Sequence, residues 1–540
     1  MTEVAAPSPG KDQVGTNERL LFWACFIALI ATAFGFVVRT QIMGDWARFH
    51  RPQRDAEGEI FGVGLWPFAI SIVLFSLIID RIGYGKAMAF AFLCHVVSAV
   101  VTIFTKEISA ATGISPYTVL YAGTFVVALG NGTVEAVVNP VVATLFARDK
   151  TKWLNILHAG WPGGLVLGGI LAIAMGSASW QAKVGLIFLP VIGYGLMMLG
   201  RRFPINERVA AGASYIEMLQ QVGLFGALIV TYMIISQLGV TFGLAGLLGE
   251  PTAQYVLWGI IAALSIGFGV YTRSLGHPLF VFMLLIMVPL ATTELGTDSW
   301  ITDLMTPAMK ELGINAGWVL IYTSLIMMIL RFFAGAIVHK LSPLGLLAAS
   351  AAIAAVGLVA LSKSQGLLIL AAATLYGFGK TFFWPTMLGV VAEQFPKGGA
   401  LTLNATGGVG MLAVGVIGTA LLGNIQDKEV DRRLEQQNPD LHAKVVADEK
   451  VSLFGAYKPL KEGEVEQLPE AQKAEIDDIK AGAKKDALMT VAIFPCIMLV
   501  CYLILLGYFK TQGGYKPKIL ISEKEEQLLM TGGAVAADEF

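Results

Sequence analysis

Charge is scarce in this sequence. Asp, Glu, Lys and Arg make up 14% of its 540 residues, against about 25% in a soluble domain. With 55% hydrophobic residues and a mean hydropathy of +0.68, most of the chain needs a solvent other than water. The formal net charge of −1 gives no basic surface for nucleic acid, so no nucleic-acid partner is expected. Cysteine is equally sparse. The four residues, Cys25, Cys94, Cys496 and Cys501, lie in apolar runs without metal-ligand spacing, which excludes a disulfide framework or thiolate metal centre and leaves small buried hydrophobes. There is no Gly-x-Ser-x-Gly elbow, no His-Glu-x-x-His, no Walker loop and no pair of aspartates at a loop mouth. An enzyme is therefore not expected, nor a cofactor or metal. The N-terminus, Met1 to Asn17, is polar and carries Pro7 and Pro9. Without a basic start, apolar core and cleavage site, it reads as a cytoplasmic tail and not a signal peptide.

What is present is long apolar runs. A spanning helix needs roughly 20 mostly apolar residues. Such runs fall near 19–40, 60–80, 87–105, 117–147, 155–176 and 181–200, then 223–247 and 254–273, then 278–300, 315–339, 343–362, 366–393, 401–423 and 486–510. That is fourteen spans arranged six, two, six, an all-α membrane protein in a lipid bilayer. Arg81 and Lys86, then Arg148, Lys150 and Lys152, then Arg201, Arg202 and Arg208 occupy alternate loops. The positive-inside rule puts those loops, and both termini, in the cytoplasm, with the protein in an inner or plasma membrane. Arg48, Arg51 and Arg54 in the first outer loop weaken that bias, with Asp45, Asp55, Glu57 and Glu59 beside them. The expected organisation is a tail at 1–18, a six-helix bundle at 19–202, an interfacial linker helix and two extra spans at 203–277, a second six-helix bundle at 278–510 and a cytoplasmic tail at 511–540. Within the second bundle, 424–485 is densely charged (Asp427-Lys-Glu-Val-Asp-Arg-Arg433) and reads as a solvated helical cap on the outer side.

The two bundles repeat each other. Gly132 precedes Glu135, Asn139 and Pro140; Gly377 precedes Lys380, Trp384 and Pro385 at the same offsets. Leu154-Asn155 follows in one half and Leu403-Asn404 in the other. Many secondary transporters are built from such repeats, with their site between the halves near the midplane.

Several motifs carry a resemblance. Asp80-Arg81-Ile82-Gly83-Tyr84-Gly85-Lys86 resembles the loop signature of the major facilitator superfamily, in which a carboxylate at a helix end pairs with a base and latches the cytoplasmic side. Glu135-Ala-Val-Val-Asn139-Pro140, Glu294-Leu-Gly-Thr-Asp-Ser299-Trp300, Arg331-Phe-Phe-Ala-Gly335 through His339-Lys340-Leu-Ser-Pro343, and Phe383-Trp384-Pro385-Thr386 with Glu393 are similar to stretches of the fucose–galactose–glucose:proton symporter family. That resemblance implies the major facilitator fold and proton-coupled sugar transport. Two departures stand out. That family has twelve spans, and its first helix carries an aspartate where this chain reads Phe34-Gly-Phe-Val-Val-Arg39-Thr40-Gln41 without an acid.

Ionisable residues inside spans are costly and point to function. Asn131, Glu135 and Asn139 are spaced by four, which makes a polar stripe on one helix face. An acid there suits proton exchange and can accept hydrogen bonds from sugar hydroxyls; the bland alternative is an interhelical clamp. Lys380, at the repeat-equivalent place, could pair with Glu135. Trp384 offers a flat face to sugar C–H groups or simple core packing. Asn155, Asn404 and His158 complete the expected substrate site, while His95 reads as core or lipid-facing. Glu294 is the second candidate for proton coupling. For gating, Arg39 could close an outer gate with Glu294 or Asp298 or merely snorkel, Asp298 reads as solvated, Asp80 and Arg81 form the cytoplasmic latch, and Arg331 ties helices near the cytoplasmic side. Trp161-Pro162-Gly163-Gly164 should bend the fifth span.

These readings converge on alternating-access symport of a small polar solute, a monosaccharide by preference, with a proton or sodium as the coupling ion. Organic anion, nitrate or peptide transport remains open through Arg39, Arg331 and Lys380, although the first-helix Glu-x-x-Glu-Arg pattern of peptide symporters is missing. A non-transporting sensor, with 424–485 as its platform, is the alternative of another class.

Overall fold

The computed structural model describes residues 15–50, 62–298, 317–452 and 455–520, with single positions between 301 and 313. Every apolar run is helical where it is described. The first half contains α1 (Thr16–His50), α2 (Trp66–Ile82), α3 (Tyr84–Ile103), α4 (Pro116–Leu145), the broken pair α5 (Lys150–His158) and α6 (Gly160–Ala174), and the broken pair α7 (Trp180–Gly185) and α8 (Phe188–Met198). Two further helices, α9 (Tyr215–Thr241) and α10 (Glu250–Thr272), pack on each other. The second half contains α11 (Pro278–Ala291) with a π turn at Thr292–Gly296, the pair α12 (Trp318–Phe332) and α13 (Ala334–Leu341), α14 (Pro343–Lys363), the pair α15 (Leu368–Lys380) and α16 (Phe383–Gln394), and α17 (Gly399–Ala413).

Each of the fourteen expected runs is occupied by a helix or a broken pair of helices, although not every one is long and unbroken. Among the described residues eleven helices are long and apolar enough to cross a membrane, or twelve with α12 and α13, which bend by 59°, counted as one. The helix α2 has 17 residues, and α15 and α16 have 13 and 12. Hydropathy sees a run of apolar residues and is blind to the breaks that cut it into shorter helices. The chain is a multi-pass membrane protein on either count.

Small residues set how closely these helices approach. Gly160, Gly164 and Gly168 recur every fourth residue and make a seam on α6. A Cβ on Gly164 would lie 2.6 Å from Ala33 Cβ and 2.8 Å from Ile30 O, so only glycine lets α6 lie on α1 at this distance. At Gly223 the backbone turns with φ of 52°, and a Cβ there would meet Gly276 N at 2.0 Å. That turn separates Tyr215–Val222 from the rest of α9. The expected linker helix at 203–222 is therefore a four-residue turn, Glu207–Ala210, and the first two turns of α9, started by a Ser214–Glu217 capping box.

Beyond α17, a π turn at Val414–Thr419 leads into α18 (Ala420–Gln437), α19 (Pro439–Val445), a hairpin of β1 (Lys450–Ser452) and β2 (Gly455–Tyr457), α20 (Glu470–Val491) and finally α21 (Ile493–Thr511). The cap has its own apolar centre of Val430, Leu434, Leu441, Val445, Ile476 and Ile479. It is helical as its alternating charge suggested, with a hairpin that the sequence did not announce. Lys485 Nζ holds it to Ser364 O, between α14 and α15.

The basic loops gather at the opposite end. There Arg208 Nη2 meets Asp80 Oδ2 at 2.5 Å, Arg81 lies over the Tyr215 ring at 5.2 Å, and Lys150 Nζ meets Glu207 Oε2 at 2.5 Å. The chain after α21 crosses the same end. Tyr515 OH donates to Glu393 Oε2 at 2.7 Å, Lys518 N donates to Glu393 O at 2.8 Å, and Leu520 N donates to Glu207 Oε1 at 3.0 Å. Burial and the Glu393 carboxylate push the Tyr515 phenol up, so it keeps the proton it donates.

Candidate functional site

A group of buried polar residues forms a connected network between the halves. On α4, Glu135 is buried and its Oε2 accepts from Asn139 Nδ2 at 2.7 Å. Asn139 Oδ1 lies 2.8 Å from His158 Nε2. Because that amide oxygen only accepts, His158 Nε2 carries the hydrogen, and a directed chain runs His158 to Asn139 to Glu135. Among the described residues no cation stands within ion-pair distance of Glu135. The expected Glu135–Lys380 pair is absent, since Lys380 on α15 pairs with Asp298. Asp298 is thus not merely solvated; its side chain is 40% exposed yet engaged.

Glu294 sits in the π turn after α11. Its Oε1 pairs with Arg331 Nη2 at 2.8 Å, and its Oε2 accepts from Trp384 N at 2.9 Å. Arg331, on α12, spends its other donors on backbone: Nη1 on His158 O at 2.9 Å and Nε on Thr381 O at 2.8 Å. It ties α12 to α5, to the π turn after α11 and to the end of α15. The predicted bend at Trp161-Pro162 is a break at Ala159, between α5 and α6, and Thr381–Phe382 likewise breaks the 366–393 run between α15 and α16.

The two repeat-related asparagines both cross to the opposite half. Asn155 Nδ2 donates to Thr386 Oγ1 at 3.1 Å, and Asn404 Nδ2 donates to Ala136 O at 3.0 Å, while Asn404 Oδ1 is buried without a partner. Trp384 is 8% exposed and its ring presses on the helix carrying Gly410, where a Cβ would lie 2.7 Å from Cζ3. In this arrangement it packs as core and presents no free face.

Other expectations separate from the site. Arg39 does not meet Glu294 or Asp298. Its Nη1 donates to Gly35 O at 3.0 Å, its Nη2 donates to Ser98 Oγ at 2.9 Å, and its Nε has no partner. It turns into the first bundle toward α3, so the outer gate built on it is not formed here. His95 is fully buried, with Nε2 2.9 Å from Asn131 Oδ1 and Nδ1 3.0 Å from Tyr194 OH. Asn131 therefore serves His95, away from Glu135. Ser299 and Trp300 lie outside the described residues. Sequence reasoning missed the threonine and tyrosine lining of this region: Tyr376 OH donates to Thr293 O, and Thr297 Oγ1 lies 2.9 Å from Tyr376 OH.

No family model matches the chain, and no curated protein matches it significantly. Solved structures do. One is the major facilitator superfamily proton:xylose symporter XylE, with a TM-score of 0.57, 13% identity, and coverage of 95% of this chain and 99% of that one. The chain has the major facilitator fold. The E. coli fucose:proton symporter FucP superposes on the fold with a TM-score of 0.51, 14% identity, and coverage of 89% and 98%. The human organic anion transporter MFSD10 gives 0.55, 11% identity, and coverage of 90% and 99%. These major facilitator neighbours are all transporters and not enzymes.

Proposed function

We propose that the protein is a secondary active transporter that carries a small uncharged polar solute, a monosaccharide by chemical class, together with a proton by alternating access. The carrying observation is Glu135: a carboxyl buried between the halves, hydrogen-bonded to Asn139, with no counter-ion among the described residues. The other central charges are matched, Glu294 with Arg331 and Asp298 with Lys380. A lone buried carboxylate is expensive to reorient, and a proton removes that expense. A neutral solute plus one proton on Glu135 leaves the moving centre without unmatched charge. Glu294, the second coupling candidate, is occupied by Arg331. XylE, a proton:xylose symporter, and FucP, a fucose:proton symporter, share the fold, which supports the reading. The basic loops fit a cytoplasmic end, with both termini there.

The test is solute uptake into proteoliposomes under an imposed pH gradient, with a sodium gradient as comparison. Wild type concentrates a monosaccharide with the proton gradient, and Glu135→Gln equilibrates it without concentrating it. Accumulation by Glu135→Gln as steep as wild type would remove the coupling assignment. One observation favours a second reading. Arg39 is an inward-turned cation with no carboxylate within ion-pair distance among the described residues, and the organic anion transporter MFSD10 shares the fold. A competition panel of sugars against organic acids separates the two.

A further inference from the structure

A residue inside an α-helix donates its N–H to the carbonyl four places back, and proline has no N–H to give. Pro140, inside α4, thus deprives Ala136 O of its donor, and Pro162 and Pro385, each in the first turn after a break, leave His158 O and Thr381 O without the N–H four places on. Inside a membrane protein such carbonyls must find another donor. All three do. Asn404 Nδ2 serves Ala136 O, and Arg331 serves both His158 O and Thr381 O. Ala136 and His158 belong to the first half of the fold, whereas Asn404 and Arg331 belong to the second. Two of the three replacement bonds therefore cross between the halves.

Resting on the transporter reading, we propose that Asn404 and Arg331 are positioning residues that seat the two halves together, each docking on a first-half carbonyl that proline has set free. A carbonyl held by its own helix is indifferent to the opposite half. One released by proline takes a side-chain donor when the halves meet and water when they part, so it has a good partner in either state. Proline here creates the docking point. Arg331 also closes a continuous path. Glu135 is bonded to Asn139, Asn139 to the His158 ring, His158 O to Arg331, and Arg331 to Glu294. The proton site and the half-to-half contact are thereby joined by hydrogen bonds through the single residue His158.

The test uses purified full-length protein and needs no solute, so it stands whatever the protein carries. Pro140→Ala returns an N–H to Ala136 O within its own helix. Asn404→Leu removes the cross-half donor. Thermal unfolding and hydrogen–deuterium exchange are measured on wild type, both single variants and the double variant. Asn404→Leu lowers the melting temperature because Ala136 O is stranded, and adding Pro140→Ala raises it again. In all three variants exchange rises at residues 146–157 and 386–395, whose contacts close the basic end. The rise is about fivefold, the factor for one lost hydrogen bond. No thermal recovery in the double variant would mean that Asn404 does not serve this carbonyl. Recovery together with wild-type exchange would mean that the bond satisfies a helix without holding the halves. If Asn404→Leu fails to fold, Pro140→Ala alone carries the exchange reading, and Pro162→Ala with Arg331→Met repeats the cycle at His158. Overturning either arm overturns the inference while leaving uptake by wild type untouched.

Discussion

Replacing Glu294 with glutamine strips the Arg331 guanidinium of its carboxylate. Both side chains are 3% exposed, and among the described residues no other acid lies within ion-pair distance of Arg331. Asp298 is already held by Lys380. Arginine cannot shed its proton, so the variant must keep a buried cation whose remaining acceptors, His158 O and Thr381 O, are neutral. Breaking a buried pair from one side costs about 3–5 kcal/mol. That is roughly two to three and a half orders of magnitude in the unfolding equilibrium, at about 1.4 kcal/mol per tenfold. The assay is equilibrium unfolding in mixed micelles of dodecyl maltoside and SDS, run on Glu294→Gln, Arg331→Met and the double variant. Arg331→Met carries a different burden, because it strands two carbonyls at about 1–3 kcal/mol each. The double variant should be more stable than the sum of the singles by about 1–3 kcal/mol, as expected for groups in contact. A Glu294→Gln protein within about 0.5 kcal/mol of wild type, the range of an ordinary surface change, would refute the reasoning. So would singles that simply add.

Packing and pH give further expectations. Gly164→Ala forces a Cβ to 2.6 Å from Ala33 Cβ and should cost about 1–3 kcal/mol by overpacking, whereas Gly259→Ala, with open space around it, should leave the melting temperature unchanged; equal melting of the two variants would count against the seam. His277, between α10 and α11, has its protonation held below the ordinary imidazole range by partial burial and by Lys518 nearby. Its neutral form is favoured in the folded protein, so its contribution is complete above the unfolded value of 6.5 and fades as the pH falls below it. Melting temperature recorded from pH 8 to 5 should therefore fall less in His277→Phe than in wild type, and parallel curves would exclude this histidine.

Every apolar run is helical among the described residues, because the solvent acts on each residue separately. Partners were harder to read. Glu135 and Lys380 stood out as costly charges, yet which cation meets which acid depends on helix rotation and depth, and Lys380 turns to Asp298. Arg39 looked available for an outer gate until Ser98 and the Gly35 carbonyl claimed it. The bend at Pro162 was legible from local chemistry; that it frees a carbonyl for Arg331 becomes visible only when α12 is laid beside it. Asn155 and Asn404 were found through the repeat, which pairs positions without saying that both reach across the fold. The hairpin in the cap had no comparable signal, being two three-residue strands within a charged stretch.

That cap rests on two struts. The chain enters it through α18, which leads on from α17, and leaves it through α20, which feeds into α21, with Lys485 pinning it to the turn after α14. It is a folded knob joined to one half of the bundle at both of its ends. An antibody fragment raised against it would serve as an alignment mark for electron microscopy. A dye on the knob and another on the first half would turn small rotations of the bundle into measurable changes in energy transfer.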